Sequence, residues 1–143
     1  MVKMNKFFSG LILLCLLSSQ AQGRIVSQIN IKGIGLQYDG RDDKNEEKAC
    51  KIFRPTKKQL IHFFNSAKES KESGELLHDY YSPCVSSGSI KFKDGSSGDW
   101  TVQSSGLAYV IFSNGESATF FYNHNKWKDP FACTYGLGDE PKC

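Results

Sequence analysis

This sequence lacks most of the features by which a small protein declares its chemistry. Its five cysteines form no Cys-x-x-Cys pair, and its three histidines, His62, His78 and His124, fall in different segments. That spacing argues against a structural zinc site, whose ligands come in close pairs. The serines are many, but no Gly-x-Ser-x-Gly elbow occurs among them. The charged run at residues 39–49 has neither the alternating carboxylates nor the central glycine of an EF-hand loop, and reads as a solvated loop. Its paired carboxylates, Asp42 with Asp43 and Glu46 with Glu47, could serve glycoside hydrolysis, but nothing apolar surrounds them to keep one protonated as an acid. Repeats and long linkers are absent. So is a long apolar run: the stretch from Phe7 to Leu17 has about 11 residues, against the roughly 20 that a membrane-spanning helix needs. Charge of one sign is not in excess either. The chain carries 18 Lys and Arg against 15 Asp and Glu, which leaves no basic footprint for nucleic acid.

What the chain does have begins at its start. A basic opening with Lys3 and Lys6, the short apolar run, and the small-residue exit Ser18-Ser-Gln-Ala21-Gln-Gly23 make a secretory signal peptide over residues 1–23. Cleavage after Ala21 or after Gly23 satisfies the small-residue requirement. Cys15 follows a leucine rather than a small residue, so no lipid anchor is expected and no stable membrane attachment survives cleavage. With Lys3 and Lys6 removed, the mature chain is close to neutral. Residues 24–143 are expected to form one domain, periplasmic or secreted, with Cys50, Cys84, Cys133 and Cys143 paired in two disulfides. Three pairings are possible. Cys50–Cys84 and Cys133–Cys143 are the expected ones, the first worth on the order of 3–4 kcal/mol by loop entropy.

The local patterns predict an α+β fold: one main helix on an antiparallel sheet of four to six strands, stapled by disulfides. Residues 25–38 read as a strand that changes parity at Gly33, where a bulge would re-aim the side chains. Thr56 and Gln59 form a capping-box pattern, and Leu60, Ile61, Phe63, Phe64 and Ala67 follow at helical spacing. That helix is expected to end near residues 71–74, with a short turn over 75–81. Beyond Ser82-Pro-Cys84 the chain reads as β. Ile90 and Phe92 point inward, Asp94-Gly95 opens a turn, and residues 100–103 alternate. Residues 107–112 and 117–122 flank Asn114-Gly115, a strong hairpin signal. A two-residue loop there would set Ile111 against Ala118, Tyr109 against Phe120 and Leu107 against Tyr122. That apolar face is expected to pack on the helix.

Two resemblances bear on function. Cys50-x-x-Phe53, Pro55-Thr56, Phe63-Phe64, Ser82-Pro-Cys84, Gly88-x-Ile90-x-Phe92-x-Asp94-Gly95, Trp100 and Pro130-Phe131 together resemble a set of small exported proteins of Gram-negative bacteria. Members of such sets often look like immunity proteins encoded beside toxins. Ser105-Gly106-Leu-Ala-Tyr109 is similar to the Ser-Gly-x-x-Tyr motif of periplasmic lysozyme inhibitors, whose loop enters the lysozyme cleft. That resemblance implies Ser105 and Tyr109 as partner contacts. A turn glycine leading into a strand with a core tyrosine explains the same five residues. The segment Asn123-His-Asn-Lys-Trp127 lies at the same end of the hairpin, with Trp127 as a candidate aromatic anchor and His124 as a polar contact. Aromatics make up 13% of the chain, more than a core of this size needs, and tyrosine and tryptophan are enriched at interfaces. The expected function is therefore binding, without catalysis, cofactor or metal. The partner would be an envelope-acting toxin or cell-wall hydrolase. A non-catalytic structural or accessory protein of the bacterial envelope is the alternative, and a small hydrolase comes third.

Overall fold

The computed structural model describes residues 24–72 and 74–136. The expected leader, residues 1–23, lies outside the described residues. The elements run β1 (Val26–Gln37), α1 (Lys44–Cys50), α2 (Lys57–Ser66), β2 (Lys68–Ser70), α3 (Gly74–Asp79), β3 (Cys84–Phe92), β4 (Ser97–Gln103), β5 (Leu107–Phe112) and β6 (Ser117–Phe121). The six strands form one antiparallel sheet in the order β1-β3-β4-β5-β6-β2. This is the α+β fold expected from the sequence, with α2, the longest of the three helices, laid on one face of the sheet.

The start of α2 follows the capping logic. The Thr56 hydroxyl accepts the Gln59 amide at 3.1 Å, and the Gln59 side chain accepts the Thr56 amide at 2.9 Å, so two orphan donors are satisfied reciprocally. Leu60, Phe63 and Phe64 are buried. Phe64 is the hub. Its ring meets Phe120 at 5.4 Å, Trp100 at 6.1 Å and Phe92 at 6.3 Å, each edge-on, the arrangement favoured by the aromatic quadrupole. The helix ends earlier than expected. The chain turns at Ala67 and enters β2, which pairs with β6. In place of the turn expected over residues 75–81, α3 spans Gly74–Asp79. Part of the charged run is also helical, because Asp43 accepts the amides of Asn45 and Glu46 and so caps α1. β1 carries register shifts around Gly33, as its parity change predicts.

The hairpin between β5 and β6 departs from the expected register. Gly115 donates to the Phe112 carbonyl and Phe112 donates to the Glu116 carbonyl, with Gly115 at φ +88°. The loop therefore holds three residues, a type I turn closed by a left-handed glycine. The extra residue shifts pairing by one, to Val110 with Ala118 and Ala108 with Phe120. A one-residue slip moves every side chain to the other face. Ala108, Val110 and Phe112 consequently face the helix, and Leu107, Tyr109 and Ile111 do not. The β3–β4 and β4–β5 connections repeat the same device, with Gly95 at φ +89° and Gly106 at φ +94°.

Two clamps close the structure. The disulfide Cys50–Cys84 joins the end of α1 to the start of β3, with 34 residues between its ends. Cys133 is also disulfide-bonded; its expected partner, Cys143, lies outside the described residues. At the opposite end of the sheet, Arg24 binds Glu69 of β2 at 3.0 Å and Asp94 of the β3–β4 turn at 2.9 Å. Its guanidinium also stacks over Phe112 at 4.5 Å. Among the described residues no helix is long and apolar enough to cross a membrane.

Candidate functional site

The β4–β5 turn, Ser104-Ser105-Gly106, and the segment after β6 come together at one end of the sheet. Tyr122 donates to the Gly106 carbonyl at 3.0 Å. A Cβ on Gly106 would sit 2.0 Å from the Tyr122 carbonyl oxygen, so only glycine allows this approach. The Trp127 indole N–H then donates to the Ser104 carbonyl at 2.8 Å. Its ring lies between Phe53, at 5.5 Å, and Phe63, at 5.7 Å, and Trp127 is only 8% exposed. Expected as an interface anchor, Trp127 is a core side chain here: the apolar groove between α2 and the sheet end takes the ring, and Ser104 satisfies its one polar group.

Trp127 separates two clefts. The first, of about 220 Å³, is lined by Tyr80, Ser104, Ser105, Asp129 and Tyr135, among others. Most of its buried polar groups bond to one another or to nearby backbone. The Asp129 carboxylate accepts from the Ser104 hydroxyl at 2.7 Å, the Tyr135 hydroxyl at 2.7 Å and the Phe131 amide at 2.9 Å. Because Ser104 donates to Asp129, Ser82 donates into Ser104 across their 2.6 Å contact. The Ser82 amide is held by Gln103 at 2.7 Å. Ser105 is buried, and its hydroxyl donates to the Tyr80 carbonyl. Burial, reinforced by the Asp129 hydrogen bond, pushes the Tyr135 phenol well above the usual tyrosine range. No histidine lines this cleft, and each serine proton is committed to an acceptor. The arrangement ties residues 129–135 to the β4–β5 turn.

The second cleft, of about 380 Å³, lies between α2 and the segment after β6. Three rings line it. Tyr122 stands 5.8 Å from His62 and 5.7 Å from His124, steeply inclined to both. Lys58, one helical turn before His62 on α2, and Lys126, from the segment after β6, also line it. Lys58, His62, His124 and Lys126 are exposed, whereas Tyr122 is half-buried. Asn125 fixes the shape of the segment by donating from its side chain to the Tyr122 carbonyl.

The structure thus gathers three of the four expected contact residues at one end, with Ser105 and Trp127 on the first cleft and Trp127 and His124 on the second. Tyr109 is elsewhere. It lies half-buried on the outer face of β5, opposite Thr119 and Thr101. Sequence reasoning missed Lys58, His62, Tyr122 and Lys126 as a group. The i, i+4 spacing of Lys58 and His62 marked a shared helix face, but no local signal tied that face to residues 122–126. Among the described residues no group of three or more His, Cys, Asp or Glu could hold a metal ion. Comparison with protein-family models, curated proteins and solved structures finds no match to this chain.

Proposed function

We propose that this chain is an exported binding protein that neutralises an envelope-acting toxin or a peptidoglycan hydrolase. The observation that carries the reading is a presented loop on a locked scaffold. Residues 123–126 are tied at one side by the Tyr122–Gly106 backbone bond and at the other by the buried Trp127, while His124 and Lys126 are exposed between these anchors. Binding that orders nothing new wastes little affinity on conformational entropy. The Cys50–Cys84 disulfide suits an oxidising compartment outside the cytoplasm.

The test is inhibition. The purified protein is assayed against lysozyme-type peptidoglycan hydrolases and against toxins encoded beside its gene. Inhibition should fall at least about tenfold in His124→Ala/Lys126→Ala, with an unchanged unfolding midpoint. If no hydrolase or toxin is inhibited, the reading gives way to an accessory role in the envelope.

A further inference from the structure

The cleft beside α2 has a composition that a protein contact does not require. We propose that it binds a carboxylated sugar. Its volume of about 380 Å³ lies in the range of pockets that enclose small ligands. Its walls are rings: His62 and His124 are inclined at 78° and 71° to Tyr122. Rings set at such angles form a corner that covers a flat, C–H-bearing ligand on two sides, and the Tyr122 hydroxyl and imidazole nitrogens remain available for sugar hydroxyls.

The charge is one-sided. Lys58 and Lys126 lie on the lining, and no Asp or Glu does. None of the ion pairs among the described residues involves either lysine. A carboxylate entering the cleft therefore meets two lysines without displacing an ion-pair partner. A neutral sugar would satisfy the rings and leave the lysines unused. An acidic peptide would satisfy the lysines and leave the ring corner unfilled. The site is also preformed, since the Asn125 and Trp127 hydrogen bonds fix the segment before any ligand arrives. The proposal does not depend on the inhibitor reading.

Two sources offer this chemistry: peptidoglycan, through the lactyl carboxylate of N-acetylmuramic acid, and polysaccharides built from uronic acids. The experiment is an NMR titration of the exported, disulfide-intact protein with a muramyl disaccharide, digalacturonate, neutral N-acetylglucosamine disaccharide and triglutamate. One or both acidic sugars should shift the His62, His124 and Trp127 ring signals saturably, and the one that binds identifies the source. The neutral disaccharide and triglutamate should bind at least about tenfold more weakly. Lys58→Gln/Lys126→Gln should weaken the acidic sugar by a similar factor at an unchanged unfolding midpoint, while Lys91→Gln, remote and exposed, changes nothing. Equal binding of the neutral sugar, equal binding of triglutamate, or no binding at all overturns the proposal. Hydrolase inhibition measured separately on the same proteins distinguishes failure of this site from failure of the inhibitor reading.

Discussion

Val110 and Ile111 are neighbours on β5 with nearly the same chemistry and opposite fates. Val110 is fully buried beneath α2, and Ile111 is 62% exposed on the outer face of the sheet. The helix face is packed with Phe92, Trp100, Val102, Phe120 and Phe64. Among the described residues the outer face is covered at one end, where the Tyr80 ring lies tilted against Phe121 at 4.6 Å and the Asp129 network closes over Ser104. Toward the other end it is a shallow recess rich in serine and in Lys91, Asp99 and Ile111. Both side chains are apolar, so their hydrophobicity alone does not separate them; their parity on β5 does, and the three-residue loop keeps β6 in register with it.

Removing the largest rings from the helix face should break that contrast most severely. Phe64→Ala and Trp127→Ala should each cost roughly 3–5 kcal/mol in a denaturant titration, as truncation of buried aromatics does. A Trp127 variant with an unchanged midpoint would return the indole to the interface role expected from sequence. Next comes the covered end of the outer face. Asp129→Ala strands the buried Tyr135 hydroxyl and should cost about 2–3 kcal/mol. The same lock gives an alkaline signature. The folded-state pKa of Tyr135 lies above its unfolded value, so its contribution is complete below about pH 10 and is lost as pH rises beyond that. A urea midpoint that declines above pH 10 in the wild type, and less steeply in Tyr135→Phe, is the expected result.

The sharpest comparison is the adjacent pair. Val110→Ala should cost roughly 2 kcal/mol, whereas Ile111→Ala should stay within about 0.5 kcal/mol. Equal losses would mean that the register is not the one described.

The same pair shows how far the sequence could be read. The helix was legible because Thr56, Gln59 and the Leu60–Phe64 stripe are local signals that need no partner. Ile90 and Phe92 were placed on the buried side by alternation alone. Asn114-Gly115 correctly announced a hairpin, but the same dipeptide serves a two-residue and a three-residue loop. The choice rests on which side of β5 meets Phe64, and that contact is remote in sequence. α1 was hidden for a similar reason. Its Asp43 cap was present, but its charged face suggested solvent, and only the buried Cys50, joined to Cys84, draws its end inward. At the candidate site, the proximity of Ser105, His124 and Trp127 followed from hairpin geometry. The cleft with Lys58 and His62 required knowing where α2 lies across the sheet.

The strand order also governs when each part of the sheet can form. β3 to β6 are joined by three-residue loops, so their pairing is local and should close early. Among the described strands β1 pairs only with β3, beyond both larger helices, β2 and α3. A chain that emerges N-terminus first therefore exposes β1, with Ile29 and Ile31, before its partner β3 exists. Pulse-labelled hydrogen exchange should find β4, β5 and β6 amides protected before those of β1. During that interval the interrupted register of β1 and the charge on Lys32 guard against pairing with another copy, so the irregularities that spoil β1 as an ideal strand protect it while it waits.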